Sequence, residues 1–574
     1  MKATVENNVS CTRPGTEMKK VVFFGAGKMG KLGVYYAKRS NMKVEFIVDN
    51  NSKLWESNLE GIKIVSPDVL KQNSHKYIVI VTVGTEIYNE IKEQLVQSGY
   101  VENENLFEYS KIFLQGNTSF GEISGVINVS SEVEVKKTVA KNKLLIDKKN
   151  KWVYRLINEN SCEEFKEIYK RCKEGKIFDE YVIKTELSDK EFLSKYPLCY
   201  KHKYIPLFTF AMEWGPQMFY QYTLFMMRFL RRLDQLGLGL GDGHAFNTTF
   251  HNGKFVFVDF DALKLGKTLY YTLQEFINSH ILIIMMLSEN LMDKVYFYLS
   301  NPNQPLSIKD IAGYLSETQL ADFNNVCNQC YVHSTNGDIQ KCCDILEAYV
   351  DNIKLKQIVQ STWEGYQAEL YVSEDEEKWL DKQRVVVDMV RLVQPKTLLD
   401  LAGNMGWFEY VLRNEIEQCI VADLDYNCVD FVFDMVIKRN VKNIHPVYLN
   451  LVAPTPASYR GLHIGETAII PWRENAIQRF KSEMVIALAI VHHLAFSQQL
   501  SFTEIIGQFA MYTSKWLMIE FIDRGDCIVA PALKNSEFDW YTIENFEKEL
   551  KKVFNIICVK NSNPTRIVYL CEKK

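Results

Sequence analysis

The stretch from Thr397 to Gly406, Thr-Leu-Leu-Asp-Leu-Ala-Gly-Asn-Met-Gly, constrains the fold of this chain more than any other. A short apolar run that ends near an acid and passes at once into a glycine-containing turn reads as a buried strand feeding a tight loop. Further strand signals follow at intervals. Cys419–Ala422 is a second apolar run, ending in Asp423-Leu424-Asp425; Val447–Leu449 is a third, ending in Asn450. Glu483–Ala489 is a fourth, with His492-His493-Leu494 just beyond it, and Trp516–Phe521 a fifth. Strands alternating with helical stretches predict an open, largely parallel α/β sheet. Ligands bind such sheets beyond the C-terminal ends of the strands, which makes Asp400, Gly403, Asn404, Gly406, Asp423, Asp425, Asn450, His492 and His493 the predicted site. There the glycines let the loop fold tightly under an amino-acid group whose amine Asp400 reaches through water. Asp423 and Asp425 stand where a ribose diol would be held, and the Asn450 amide stands where it can meet an adenine amino group.

Residues 19–115 follow related logic. Val21–Phe24 is an apolar strand running into Gly25-Ala26-Gly27-Lys28-Met29-Gly30; a second strand, Val44–Val48, ends in Asp49, 19 residues after the last glycine, and Tyr77–Val83 is a third. G-x-G-x-x-G between strand and helix permits close backbone approach to a phosphate, and an acid at the end of the second strand suits a ribose. Gly25, Gly27, Gly30 and Asp49 are the candidate contacts, with NAD or a nucleotide-sugar as the ligand. The same glycines also serve tight strand–helix packing, so that alternative stays open.

Residues 121–351 hold Leu240-Gly241-Asp242-Gly243-His244-Ala245-Phe246-Asn247, then the apolar strand Phe255–Val258 and Asp259-Phe260-Asp261. An Asp, an Asn five residues later and another Asp twelve beyond that are the groups phosphoryl transfer needs: a carboxylate to orient the attacking hydroxyl, and an amide and carboxylate to hold Mg²⁺. On this reading Asp242 is the base, Asn247 and Asp259 are metal ligands, and Mg-ATP is the cosubstrate. The alternative is a scaffold that positions a substrate and transfers nothing.

A net charge of −4 over 574 residues, with no concentrated basic patch, argues against a nucleic-acid partner. The polar opening stretch Met1–Lys20 has no apolar run of the secretory kind. The most apolar stretch, His280–Leu287, is far short of the ~20 residues that span a bilayer and predicts a buried helix. Thirteen scattered cysteines fit a reducing, cytoplasmic setting. Cys327-x-x-Cys330, with His333, Cys342 and Cys343, lacks a second C-x-x-C and reads as reduced cysteines in helices, not a zinc site.

Three resemblances follow from these motifs. Residues 19–115 resemble the small Rossmann domains fused to sugar-modifying enzymes of bacterial surface-polysaccharide pathways. The Asp242–Asp259 spacing resembles the catalytic loop of the protein-kinase-like superfamily, particularly aminoglycoside and choline phosphotransferases. It departs from them in carrying Leu240 where they carry His, in lacking an evident Gly-rich loop, and in offering only Arg155 for the usual strand Lys. Residues 362–574, with their closing pair Asn555–Val559 and Arg566–Cys571, resemble class I S-adenosylmethionine (SAM)-dependent methyltransferases. From Val153 onward the order Met212-Glu213-Trp214, Asp242–Asn247, Asp400–Phe408, Pro471-Trp472-Arg473, Ala487–Leu494 and Glu520-Phe521 resembles bacterial methyltransferases of the nodulation and surface-polysaccharide type, although Asn450 stands where that family usually has an acid. The resemblance implies an α/β multidomain chain: a Rossmann-like domain, a kinase-like α+β domain, and a seven-stranded methyltransferase domain. It also implies SAM as cofactor, a small-molecule or glycan acceptor (a surface glycan, nucleotide-sugar or glycan-linked phosphate), and His492 or His493 as the base. An NAD-dependent sugar oxidoreductase or epimerase and a non-catalytic nucleotide-binding scaffold are the alternatives.

Overall fold

The computed structural model describes residues 20–27, 30, 34, 44–83, 85–102, 105–108, 133–136, 142–188, 197–300, 306–353, 355, 375–456, 473–534 and 536–574. The opening stretch before Lys20, the segment boundaries at 115, 121 and 362, and Pro471-Trp472 lie outside them. The chain divides into two compact units, one of residues 1–148, 190–197 and 458–473, the other of residues 149–189, 198–457 and 474–574.

The first unit is built on a six-stranded sheet of β1 (Lys20–Phe24), β2 (Val44–Val48), β3 (Asn58–Leu59), β4 (Ile62–Val65), β5 (Tyr77–Val81) and β6 (Leu106–Glu108), in the order β3-β4-β2-β1-β5-β6. All neighbours run parallel except the β3–β4 hairpin. β1 is apolar along its length because it is central and covered on both faces: Val22, Phe23 and Phe24 are buried on alternating sides. Helix α1 (Thr85–Gln97) buries Tyr88, Ile91 and Leu95 at helical spacing against one face. A hairpin of β7 (Val133–Lys136) and β8 (Lys143–Asp147) follows.

The second unit begins with the antiparallel strands β9 (Trp152–Ile157), β10 (Thr185–Leu187) and β11 (Leu198–Lys203), with helix α2 (Cys162–Glu174) between β9 and β10. Helix α3 (Pro216–Gln235), β12 (Leu238–Leu240), β13 (Thr248–His251), β14 (Lys254–Phe257) and β15 (Leu263–Leu265) come next. The apolar stretch at 280–287 is buried as expected. It belongs to a continuous helical run of α4 (Tyr270–Phe276), a π-helical turn (Ile277–Ile281) and α5 (Leu282–Ser288). Helices α6 (Met292–Ser300), α7 (Glu317–Thr335) and α8 (Ile339–Asn352) follow. Cys327 and Cys330 lie on α7, and Cys342 and Cys343 on α8.

Helix α9 (Asp381–Val393) leads into the seven-stranded sheet: β16 (Thr397–Leu401), β17 (Gln418–Asp423), β18 (Ile444–Tyr448), β19 (Ser482–Ala487), β20 (Thr513–Ile522), β21 (Phe554–Asn563) and β22 (Arg566–Lys573), ordered β18-β17-β16-β19-β20-β22-β21. Helices α10 (Trp407–Leu412), α11 (Tyr426–Lys438), α12 (Ala476–Phe480), α13 (Val491–Phe496), α14 (Phe502–Tyr512) and α15 (Ile543–Val553) connect them. The first five strands are parallel, and β22 alone runs antiparallel to both its neighbours. The expected strands and the structure differ at several ends, three of them with a clear cause. β18 starts three residues early, at Ile444, because Pro446 is tolerated on an edge strand. β19 stops at Ala487, two residues short, because Ala489 is left-handed with φ 53°. The closing hairpin runs on through polar Asn561 and Asn563, since edge pairing needs backbone and not apolar side chains.

Side chains tie the 198–260 stretch to this sheet. Asp430 on α11 accepts Gln217 N at 2.9 Å and Met218 N at 3.1 Å, capping the first turn of α3. Phe250 packs edge-on against Phe433 at 5.5 Å, and His251 stacks on His445 at 6.3 Å.

Candidate active site

A cavity of about 990 Å³ opens at the C-terminal ends of β16, β17 and β19. Its wall includes Asp400, Gly403, Asn404, Asp423, Asp425, Asn450, His492 and His493, so the structure gathers eight of the nine residues predicted for this site. The ninth, Gly406, shapes the loop from behind: with φ 71° it caps α10 in the left-handed conformation.

The loop after β16 is strained in a way that sequence alone does not reveal. Ala402 (φ 66°) and Asn404 (φ 50°) are left-handed without being glycine, as is Ala489 across the cavity. Such conformations persist where the surroundings over-determine them, commonly at ligand sites. Here the surroundings are explicit. Ala402 N and Gly403 N both donate to Ala422 O, at 2.8 and 3.1 Å. Asn404 N donates to Asp423 Oδ2 at 2.9 Å, while Asp425 N donates to Asp423 Oδ1, also at 2.9 Å. Ala489 N donates to Glu520 Oε2 at 2.8 Å. Trp407, buried behind the loop, meets Trp379 edge-on at 5.3 Å.

The carboxylates are electrostatically loaded. Burial and the neighbouring Glu409 carboxyl push Asp400 well above the usual range, and burial brings Glu409 to about 7. Burial raises Asp423 to about 6 against the hydrogen bonds it accepts. Asp425 caps α11 through Oδ1, which accepts Asn427 N at 2.9 Å, and its buried Oδ2 has no protein partner. Each accepting oxygen of Asp423 retains lone-pair capacity, so the Asp423–Asp425 wall fits a diol. Asn450 is arranged differently from expectation: its Oδ1 accepts Val452 N at 3.0 Å and Ala453 N at 3.2 Å, which leaves Nδ2, a donor, as the group with capacity toward a ligand.

The two histidines on α13 touch, ring centres 4.0 Å apart, but differ. His492 is buried, its Nδ1 has no partner, and burial, His493 and Arg566 bring it down to about 3. His493 is half-buried, and burial lowers it less. Glu520 does not orient either ring. Fully buried on β20, it holds Lys382 Nζ at 2.9 Å, Ala489 N and Ser562 Oγ at 3.1 Å. Among the described residues that line the cavity, Lys382 and Arg566 are the Lys and Arg side chains, and neither stood among the expected site residues. Lys382 comes from α9, ahead of the motif, and Arg566 from the closing hairpin. Arg566 Nε meets Asp526 Oδ2 at 3.1 Å; against burial, hydrogen bonds from Ile528 N, Arg566 and Thr565 hold Asp526 at about 2.

In the first unit, Asp49 braces its glycine loop much as Asp423 does: Oδ2 accepts Ala26 N at 2.7 Å and Oδ1 accepts Asn51 N at 2.8 Å. The three glycines are not equivalent. A Cβ on Gly25 would lie 2.7 Å from Thr82 O, and one on Gly30 would lie 2.0 Å from Gly25 O, so both are needed for packing. A Cβ on Gly27 would meet nothing within 4 Å, which leaves open space over the backbone.

In the second unit, Asp242 and Asn247 lie on the loop between β12 and β13, and Asp259 follows β14. Arg155 on β9 pairs with Asp261 and with Asp259, the latter at 3.4 Å, and not with α2. Asn247 Nδ2 is buried without a protein partner. Among the described residues no cluster of three or more His, Cys, Asp or Glu could hold a metal ion. No helix among them is long and apolar enough to cross a membrane.

Comparison with known proteins finds similarity to parts of the chain. A family model described as "C2185-like, N-terminal" matches residues 17–106. The nodulation protein NoeA of Rhizobium meliloti (strain 1021) is 29% identical over 215 residues, 37% of this chain and 43% of that protein, so the chain spans less than half the length of this curated relative. Among solved structures, a SAM-dependent methyltransferase from Aquifex aeolicus is 10% identical and covers 38% of this chain and 100% of its own, with a TM-score of 0.26. The N-methyltransferase NodS from Bradyrhizobium japonicum WM9 is 9% identical, covering 35% and 99%, with a TM-score of 0.24. Magnesium protoporphyrin IX methyltransferase (ChlM) from Synechocystis PCC 6803, with bound SAH, is 11% identical, covering 34% and 84%, with a TM-score of 0.25.

Proposed function

We propose that the chain is a SAM-dependent methyltransferase, with its cofactor in the cavity at the ends of β16, β17 and β19. The observation that carries this reading is the convergence, at one sheet end, of carboxylates for the amine and the ribose of such a ligand. Asp400 lies beneath the loop, Asp423 and Asp425 form a diol-binding wall with an unpartnered buried oxygen, and two imidazoles face them. Bound there, SAM supplies an electrophilic methyl group on a sulfonium. The protein's share is then to align the acceptor and, for a hydroxyl, to remove one proton. His493 is the proton acceptor in this reading. It sits at the mouth, whereas His492, held at about 3, is a poor base near neutral pH and serves to position its neighbour. The Asn450 amide, a donor, suits an adenine ring nitrogen better than the amino group.

The acceptor we infer is a surface glycan, a nucleotide-sugar or a glycan-linked phosphate, in keeping with partial similarity to a nodulation protein. Gly27, which packing does not require, supports NAD or a nucleotide-sugar as a ligand of the first unit. The test is transfer of tritiated methyl from SAM to glycans extracted from the source organism. Transfer that falls roughly 10²-fold or more in His493→Ala, with binding of S-adenosylhomocysteine (SAH) retained, is expected. SAH binding without transfer to any glycan fraction would reject the acceptor class, and full activity in the variant would reject the base.

A further inference from the structure

A second cavity, of about 490 Å³, lies beside Asp242, and its chemistry differs from that of the first. The loop Gly241–Phe246 forms one side; α4 and the π-helical turn Ile277–Ile281 form another. A π turn inside a helix is rare and concentrates at functional sites. Here it brings Asn278 and Ser279 to the cavity wall, beside Gln274 and Glu275 of α4. These groups are already ordered as a chain. Tyr270 Oη donates to Gln274 Oε1 at 2.6 Å, Gln274 Nε2 to Asn278 Oδ1 at 3.1 Å, and Ser279 Oγ to Gly243 O at 2.9 Å; Glu275 Oε2 accepts Gly243 N at 2.7 Å. Tyr271 stands on the rim with its residue 65% exposed, offering an aromatic face to solvent.

The charge of this wall is one-sided. It carries two carboxylates, Asp242 and Glu275, and neither Lys nor Arg is among the described residues that line it. A phosphate or nucleotide would meet repulsion from these carboxylates, with no Lys or Arg among the described lining residues to offset it. Mixed donors and acceptors beside an exposed ring suit a neutral, hydroxyl-rich molecule. Two further carboxylates, Asp259 and Asp261, are already paired with a cation. The Arg155 side chain, 5% exposed, pairs with Asp259 and Asp261, and its Nε lies 3.3 Å from His202 Nε2. Thr185 holds that histidine at 2.8 Å through Nδ1. A guanidinium does not lose its charge in a protein, so this pair stands where a divalent cation would have to compete.

We propose that this cavity binds a neutral sugar residue through Asp242 and the Gln274–Ser279 wall, and holds it without phosphoryl transfer. Helix α6 relates the cavity to the first one: Tyr298 and Leu299 line the sugar site, while Tyr296 on the same helix meets Tyr448 edge-on at 6.3 Å. Tyr448 in turn stacks at 4.0 Å on Tyr426, which lines the larger cavity.

The test is saturation-transfer NMR on the full chain with methyl glycosides of glucose, galactose, mannose and N-acetylglucosamine, beside glucose 6-phosphate. At least one methyl glycoside takes up saturation and the sugar phosphate does not. Asp242→Ala weakens the interaction about tenfold or more, as expected for losing a hydrogen bond to a charged group. Tyr271→Ala, at an exposed ring that folding does not need, weakens it as well and carries the test by itself if Asp242→Ala unfolds. Adding Mg-ATP neither abolishes the signal nor yields a phosphorylated glycoside. Absence of saturation for every glycoside, equal binding of the sugar phosphate, an undiminished signal in Tyr271→Ala, or Asp242-dependent formation of ADP and sugar phosphate would each overturn the proposal. Because no SAM is present, the outcome is independent of the methyltransferase reading.

Discussion

Replacing Arg479 with alanine tests how the 198–260 stretch and the seven-stranded sheet are held as one unit. Glu213 is completely buried, and the Arg479 side chain is 6% exposed. Both guanidinium nitrogens reach the carboxylate: Nη1 meets Oε2 at 2.9 Å, and Nη2 pairs with Oε1. Nη1 also donates to Phe208 O at 2.8 Å and Nε to Glu474 O at 2.9 Å, while the cation packs over the rings of Phe210 and Phe480. Without Arg479, Glu213 keeps only the Phe210 N–H at 3.0 Å as a donor. Breaking one side of a buried pair costs about 3–5 kcal/mol, because it strands a desolvated charge. Glu213→Gln keeps the shape and part of the hydrogen bonding and costs less, about 1–3 kcal/mol. An Arg479→Met/Glu213→Leu double variant, with no stranded charge, recovers much of the loss. Urea unfolding of the full chain followed by tryptophan fluorescence reads this directly, since Trp214 adjoins the pair and donates to Thr209 Oγ1 at 3.0 Å. A loss below about 1 kcal/mol in Arg479→Ala, or a double variant no better than the single, would refute the reasoning.

Three further outcomes follow from the same geometry. SAH affinity falls as pH drops below about 6, by roughly tenfold per pH unit, because a ribose donates to the ionised form of Asp423, whose folded pKa lies there; titrations at pH 7.5 and 5 check it, and a flat profile counts against the ribose assignment. Lys382→Met, next to Asp400 in the cavity, weakens SAH about tenfold or more but leaves 5′-methylthioadenosine, which lacks the amino-acid tail, nearly unchanged. Equal losses for both would deny Lys382 a carboxylate contact. The buried His445 and the half-buried His251 stacked on it are held neutral, brought down to about 3 and about 4 chiefly by desolvation. Unfolding lets them charge, so each subtracts about 1.4 kcal/mol per pH unit as pH falls from about 6 toward 4. Melts of His445→Phe should show a shallower acid dependence than the parent.

Where the chain's own chemistry is local, the sequence was readable. β16 is mostly apolar, with Asp400 the one acid in it, because both its faces are covered, and the turn after it needs Gly403, whose Cβ would lie 2.9 Å from Val421. Helix Ile543–Val553 likewise rests on local signals, its apolar spacing and the Thr542 cap. What escaped depends on partners distant in sequence. Glu520 reads as a strand-end acid free to orient a histidine, yet Lys382, 138 residues away, claims it. The Asn450 amide reads as a ligand group, yet its oxygen closes the next turn. The left-handed Ala402 and Ala489 carry no residue signal, because the hydrogen bonds that they and Asn404 donate through their backbone N–H groups, to Ala422 O, Asp423 and Glu520, hold that conformation. Arg155 was noticed as a stand-in for a strand lysine, but only the fold shows it meeting Asp259 and Asp261.

The most direct test of the central claim is a calorimetric titration of the purified chain with SAH, alongside an Asp423→Ala variant. Micromolar binding, weakened about tenfold or more in the variant, is the predicted result, about 1.4 kcal/mol for one lost set of ribose hydrogen bonds. A well-folded chain that binds no SAH would contradict the methyltransferase reading and leave a nucleotide-binding scaffold in its place.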